Sequence, residues 1–284
     1  MPSEHAFTLR AQWLGQQLRE MREDAKLTLK DVGNYIQRNG STVSRIESGM
    51  LPARVPEVLT YLDLCGVQDP KRRADLKKMA EDVWQKGWWD GFKADVVGSL
   101  IDWIWLESRA VTIQSFQIGV IPGLLQTRDY AEALIRSDQP DATEEQVARF
   151  VAVRTARQER LNENPALRLS AIIDEGALRR KVGGREVMRA QLTRLGSLAE
   201  RSDIEIMVLP SEIGSHASPD GAFDLLTMAR PYPLVAGIST AAGNLVVEGA
   251  EAEVLVQKYH RLRDVALGEN ATITFLSTLR DRLE

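Results

Sequence analysis

The sequence predicts two domains: an all-α domain of about five helices that contains a helix-turn-helix, then an α+β domain with a mixed or antiparallel sheet. Three observations carry this. Residues 28–49, TLKDVGNYIQRNGSTVSRIESG, have the spacing of two short helices set across a tight turn. Five of the six tryptophans crowd between Trp84 and Trp105, which marks a change of texture. Beyond Arg109, short runs rich in Val, Ile, Leu and Phe alternate with longer amphipathic stretches. The expected layout is a helix-turn-helix DNA-binding domain at 1–83, a helical connector at 84–109 and an α+β effector or partner domain at 110–284.

In the first stretch Thr28 is placed to cap a helix whose inward positions are Val32, Tyr35 and Ile36, a spacing that makes one apolar stripe. Gln37 and Arg38 break the pattern. Asn39 is placed to cap a second helix with Val43 and Ile46 inward, so the outward face carries Gly40, Ser41, Ser44, Arg45 and Ser48. A major groove about 12 Å wide admits a helix only when the docked face is not bulky. Gly40, Ser41, Ser44 and Arg45 are therefore the expected base-facing residues. Arg45 is the side chain able to grip a guanine bidentately, a contact worth roughly 1–3 kcal/mol of discrimination. Thr28, Asn39, Thr42 and Arg54 are the expected phosphate contacts. Spacing alone also allows a plain helical hairpin with a polar outer face.

The run from about Leu14 to Val67 resembles the phage-repressor, or xenobiotic-response-element, type of helix-turn-helix. LGQQLREMRE, TLKDVGNYI, STVSRIESG and PARVPEVLTYLDLCGV carry the likeness, and SRIESG is its most specific piece. The resemblance implies that Glu47 ends the recognition helix and that Gly49 supplies the turn after it, where a permissive backbone is favoured. Two departures stand out. Glycine is common in the family where this chain has Gln37, which implies a longer or strained turn. Glutamine or proline is frequent where it has Gly40, which removes one base-reading side chain.

A module of this kind needs about 60–70 residues, so a chain of 284 holds at least one further domain. With 44% hydrophobic residues and both charge signs well mixed, it reads as globular and not disordered. The single Cys65 excludes an intrachain disulfide and a thiolate metal cluster. On the apolar face of a helix at 58–64 it reads as a buried small hydrophobe. MPSEHAFTLR has no apolar h-region and the longest apolar stretch, 96–106, is cut by Asp102, so neither signal peptide nor membrane span is expected and the location is cytoplasmic.

The net charge of −4 argues at first against a polyanionic partner. Its distribution softens that, because the chain carries +2 through Lys86 and −6 over the remainder. Lys71, Arg72, Arg73, Lys77 and Lys78 form the densest basic cluster, read as a solvated helix face in preference to a phosphate track.

Residues 96–109 are expected as a helix with Leu100, Trp103 and Ile104 inward, packed as a connector. Only Lys86 and Lys93 interleave with the aromatics there, too few for a base-stacking platform. Strands are expected at 110–118, 167–173, 204–209, 222–227 and 244–247, and helices at 143–162, 184–201 and 251–267. At 271–283, Thr272, Ile273 and Thr274 favour a strand, whereas Ile273, Leu276, Leu279 and Leu283 favour a helix capped by Asn270. We take the helix.

This second region resembles the biochemically uncharacterised domain that follows the helix-turn-helix in a large group of actinobacterial regulators, the WhiJ-like proteins. IPGLLQTRDYAEALIR at 121–136, RTARQERL at 154–161, IIDEGALRRKVGGREVMRAQLTRL at 172–195 and GSHASPDGAFDLL at 214–226 carry the likeness in that order. The chain departs at 234–247, LVAGISTAAGNLVV, where the family usually has a valine and aromatic strand with a glutamate.

A catalytic reading would use Asp174, Glu175, His216 and Asp220, a carboxylate pair at a strand end and a histidine in a Gly and Ser rich loop. No nucleophile elbow or phosphate-cradling glycine pattern accompanies them, and of three histidines His5 is terminal. No enzyme activity, catalytic residue, metal ligand or cofactor is therefore expected. Glu175 is as well placed to cap the following helix, and Arg154 and Arg157 to pair with carboxylates. The expected effector or partner pocket comprises Gln126, Tyr130, Arg154, Arg157, Asp174, Glu175 and His216.

The resulting expectation is a sequence-specific transcription regulator that binds double-stranded DNA as a homodimer, with half-sites about one turn apart. Its second domain would sense a small-molecule effector or, as the resemblance implies, a small neighbour-encoded protein. An antitoxin-like partner-binding protein that regulates itself and an enzyme domain tethered to DNA remain the alternatives.

Overall fold

The computed structural model describes residues 8–92, 98–163, 165–240 and 243–283; His5, Lys93 and Val96, where the expected connector helix begins, lie outside them. The chain divides into two compact units, Met1–Asp90 and Gly91–Glu284.

Among its described residues the first unit holds five α-helices: α1 (Leu9–Asp24), α2 (Leu29–Tyr35), α3 (Gly40–Glu47), α4 (Val55–Leu64) and α5 (Pro70–Val83). Local chemistry starts each of them. Thr8 caps α1, and Thr28 and Asp31 form a reciprocal capping box on α2. Asn39 Oδ1 accepts from the Thr42 amide at 2.7 Å to open α3. Asp69 and Pro70 open α5. The helices close on Leu14, Leu18, Val32, Val43, Ile46, Val58, Leu62, Leu76 and Val83, all essentially out of solvent. Each such side chain contributes about 1.5–3 kcal/mol by leaving water.

Two details of the first unit differ from expectation. Tyr35 is 52% exposed although it is the last residue of α2, so the apolar stripe does not include it. Cys65 is the C-cap residue of α4 and only half-buried.

The second unit is built on one sheet in the order β3-β2-β1-β4-β5-β6. Its strands are β1 (Ala110–Gln117), β2 (Arg168–Asp174), β3 (Ile204–Leu209), β4 (Phe223–Met228), β5 (Val235–Thr240) and β6 (Gly243–Glu248). β1, β2 and β3 run parallel, whereas β4, β5 and β6 continue antiparallel from the other edge of β1. The sheet is mixed. The parallel pairs need crossovers, and α7 (Arg128–Asp138) with α8 (Glu144–Gln158) supplies the first. The second is α9 (Glu175–Arg179) with α10 (Arg185–Ala199).

α6 (Gly98–Arg109) buries Ile101, Trp103, Ile104, Trp105 and Leu106, and Trp103 lies against Gly237 so closely that a β-carbon there would collide with its ring. The expected connector is thus divided: residues to Asp90 fall in the first unit, and α6 is part of the second unit's core. On the other face α11 (Gly249–Val265) covers a cluster of Phe116, Ile172, Met207, Leu209, Phe223, Leu225, Tyr259 and Leu262. α12 (Glu269–Asp281) closes the chain.

Two further corrections concern this unit. β5 was not expected as a strand; VAGIST has two small residues in its buried half and a polar end, which weakens the alternation. α12 is a helix as expected, but Gly268 and not Asn270 stands at its cap, since Thr272 is drawn in to bond Val208 N and Leu267 O.

Candidate functional site

α3 presents the face that the sequence marks. Val43 and Ile46 are buried, while Ser41, Ser44, Arg45 and Ser48 are exposed and Gly40 and Thr42 are half-buried. The Arg45 guanidinium has no hydrogen bond or ion pair among the described residues, so it stands free on a small, polar surface. Asn39 and Thr28 are also exposed, with their oxygens occupied by capping. Ser41 Oγ donates to Asn39 Oδ1 at 2.7 Å, which leaves the Asn39 amide NH2 as the donor that faces outward. The turn before α3 puts Gln37 at φ +56°, a left-handed conformation that non-glycine residues adopt only when their surroundings require it.

A buried polar network anchors this helix from behind. Glu47 accepts from Arg22 Nε and Nη2 at 2.7 and 2.9 Å and from the Tyr61 hydroxyl at 2.6 Å, joining α1, α3 and α4. Burial and then the Glu47 carboxylate push the Tyr61 hydroxyl well above its ordinary range. Gly49 follows at φ +74°, and a β-carbon there would collide with Gln12 at 2.8 Å.

Arg54 is exposed at the cap of α4, its guanidinium carbon 5.8 Å from the Trp84 ring centroid. Trp84 is fixed in turn by donating Nε1–H to Ala53 O at 2.8 Å. Arg38 pairs with Glu57 at 2.6 Å. In the α5 cluster, Arg73 pairs with Asp63, Lys77 with Glu81 and Lys78 with Asp82, as befits a solvated helix face.

In the second unit the seven expected pocket residues do not converge on one cavity. Gln126 and Tyr130 are fully buried and hold the segment after β1: Gln126 Nε2 donates to Ile121 O at 2.7 Å, and Ile121 N donates to the Tyr130 hydroxyl at 3.2 Å. Asp174 caps α9 through the Gly176 amide. Glu175 pairs with Arg179 and accepts from the Ser211 amide at 2.9 Å, and that amide first holds its carboxyl below the usual range. His216 accepts from Ser218 N at its Nδ1 and stacks edge-on against Phe116. Asp174 serves as a helix cap, a use that cap signals in the sequence can show, whereas the partners of Glu175 at Ser211 and of His216 at Phe116 are distant in sequence.

Arg154 and Arg157, by contrast, belong to a polar cluster on the α6 face of the sheet. Arg157 donates Nε and Nη2 to the Glu107 carboxylate at 2.7 and 2.6 Å, with both side chains nearly buried. Arg154 donates Nη1 to Gln126 Oε1 at 3.3 Å, and burial pulls its guanidinium down to about 10. Asp224 accepts from Gln117 Nε2 at 3.3 Å, and burial pushes its carboxyl up to about 6. Glu107, Arg157, Asp224, Ser115 and Gln117 line a cavity of about 40 Å³, room for a few waters and no larger guest. Sequence reasoning missed Glu107 and Asp224. A glutamate embedded in the apolar run WIWLES was the available sign.

Among the described residues no helix is long and apolar enough to cross a membrane. Two family models match the chain, one described as a helix-turn-helix domain over residues 13–76 and one as a domain of unknown function (DUF5753) over residues 100–278. No curated protein and no solved structure matches.

Proposed function

The chain belongs to the DUF5753 family and carries a helix-turn-helix domain ahead of that domain, and on this premise we propose that it is a sequence-specific DNA-binding transcription regulator of the WhiJ-like kind. The observation that supports the reading most directly is the outer face of α3, with unpaired Arg45 among serines and a glycine. Such a face fits a major groove with Arg45 reading a guanine, while Thr28, Asn39, Thr42 and Arg54 lie along phosphates. The protein acts in the cytoplasm as a homodimer on half-sites about 34 Å apart. The second unit senses a small-molecule effector or a partner protein and biases DNA affinity. Local use of Asp174, Glu175 and His216 favours binding over catalysis there.

Selection of bound duplexes from a random library, followed by footprinting, tests the central claim. A recurrent motif with two-fold symmetry is the expected result. Recovery of no motif above the unselected pool would remove the regulator reading, and a monomer by sedimentation both free and on the selected duplex would remove the dimer.

A further inference from the structure

Two arginines without a carboxylate partner reach the same stretch of chain, the segment that leaves the carboxyl end of β1. Strand β1 has a parallel neighbour, β2, on one edge and an antiparallel neighbour, β4, on the other.

The segment is stapled in place by side chains that consume its carbonyls. Ile121 O accepts from Gln126, Gly123 O and Gln126 O accept from Gln158, and Leu125 O accepts from Gln191 and Arg194. Arg154 bonds none of these carbonyls and touches the staples only through Gln126 Oε1. It lies beneath Gly123, where a β-carbon would come within 2.6 Å of Nη1, so the absence of a side chain at 123 is what admits the guanidinium.

The neighbouring carboxylate is already committed, because Glu107 is held bidentately by Arg157. Arg154 therefore keeps one 3.3 Å hydrogen bond to a neutral amide and no ion pair among the described residues. Among the described residues Arg194, on α10, bonds only Leu125 O and Gln158 Oε1. Burial lowers the guanidinium of each, the sign of a cation short of water, and at Arg154 the Arg157 charge adds to that deficit while Glu107 offsets only part of it. A charge-assisted bond to an oxyanion would relieve that deficit.

We propose that Arg154, with Arg194 reaching the same segment from α10, binds the carboxylate or phosphate group of a small-molecule effector. This rests on the reading of the second unit as the sensing half, and it names the ligand's chemistry.

Thermal melting of the full chain with inorganic phosphate or with succinate, against sodium chloride at matched ionic strength, tests it. Wild type is expected to show a saturable rise in melting temperature with at least one probe, phosphate indicating a phosphate ester and succinate a carboxylate. Arg154→Gln should raise the half-saturating concentration about tenfold or more, and Arg136→Gln, on an exposed arginine paired with Glu132 and Glu144, should leave it unchanged. No saturable rise in wild type with either probe, or the same half-saturation in Arg154→Gln, overturns the proposal. Should Arg154→Gln fail to fold, Arg194→Gln is read in the same assay, where several-fold weakening supports the site and unchanged binding overturns it. Binding of the selected duplex is measured separately without added anion, so its failure would remove the regulator reading and leave the anion result standing.

Discussion

Arg22 on α1 grips the carboxylate of Glu47, the last residue of α3, through two hydrogen bonds at 2.7 and 2.9 Å. Both side chains are nearly buried, so the pair is a clamp on the recognition helix and not a surface ornament. Glu47→Ala leaves a buried guanidinium and the Tyr61 hydroxyl unmatched. The first unit is expected to lose roughly 3–5 kcal/mol, visible as an earlier transition in urea while the second unit's transition stays in place. An unshifted first transition would mean that the clamp is dispensable.

Arg45→Ala should weaken binding to the selected duplex by roughly 1–3 kcal/mol with little change on random DNA. Titrations on both duplexes at one salt concentration make the comparison. Equal losses on the two would assign Arg45 to phosphate, and the base-reading role would pass from it.

Glu107→Gln removes the carboxylate that Arg157 holds and leaves two neighbouring guanidinium groups uncompensated. It should destabilise the second unit by roughly 3–5 kcal/mol. The double variant Glu107→Gln with Arg157→Met is expected to recover a substantial part of that loss, because the orphaned charge goes with its partner. Losses that simply add in denaturant melts would show that the two residues act independently.

Asp224 titrates near 6 in the fold, against about 3.9 for an ordinary aspartate. Between those values the folded chain keeps a proton that the unfolded chain has released. Stability from this group is therefore full below about pH 4 and falls as pH rises toward 6. Asp224→Asn should flatten that fall, gaining on the order of 2 kcal/mol relative to wild type between pH 4.5 and 7.5. Urea midpoints measured across this range for both proteins decide it; parallel profiles would place Asp224 outside the pH response.

What was legible in the sequence was what is local. The caps at Thr28 and Asn39, the inward Val32, Val43 and Ile46 and the bare face around Arg45 follow from residues within a few positions of one another. The strained turn at Gln37 was legible only through the resemblance, since glycine is common there in the family. Tyr35 lies inside α2 yet stays exposed, so the stripe is carried by Val32 and not by it. The polar cluster of the second unit joins positions 107, 157 and 224, which only the sheet brings together. β5 was hidden by Ala236 and Gly237, small residues that carry little strand signal, Gly237 being the one that makes room for the Trp103 ring.

The position of β1 between a parallel and an antiparallel neighbour also sets the order of events when the chain folds. Ser115 meets Ala171 on one side and Asp224 on the other, so one edge of β1 waits for residues more than a hundred positions downstream. Loop closure over such distances slows a fold far more than it weakens it. The five-helix unit, whose contacts are short-range by comparison, is therefore expected to reach its native form first, and a newly made chain spends an interval able to fold its helix-turn-helix before the sheet of the second unit exists.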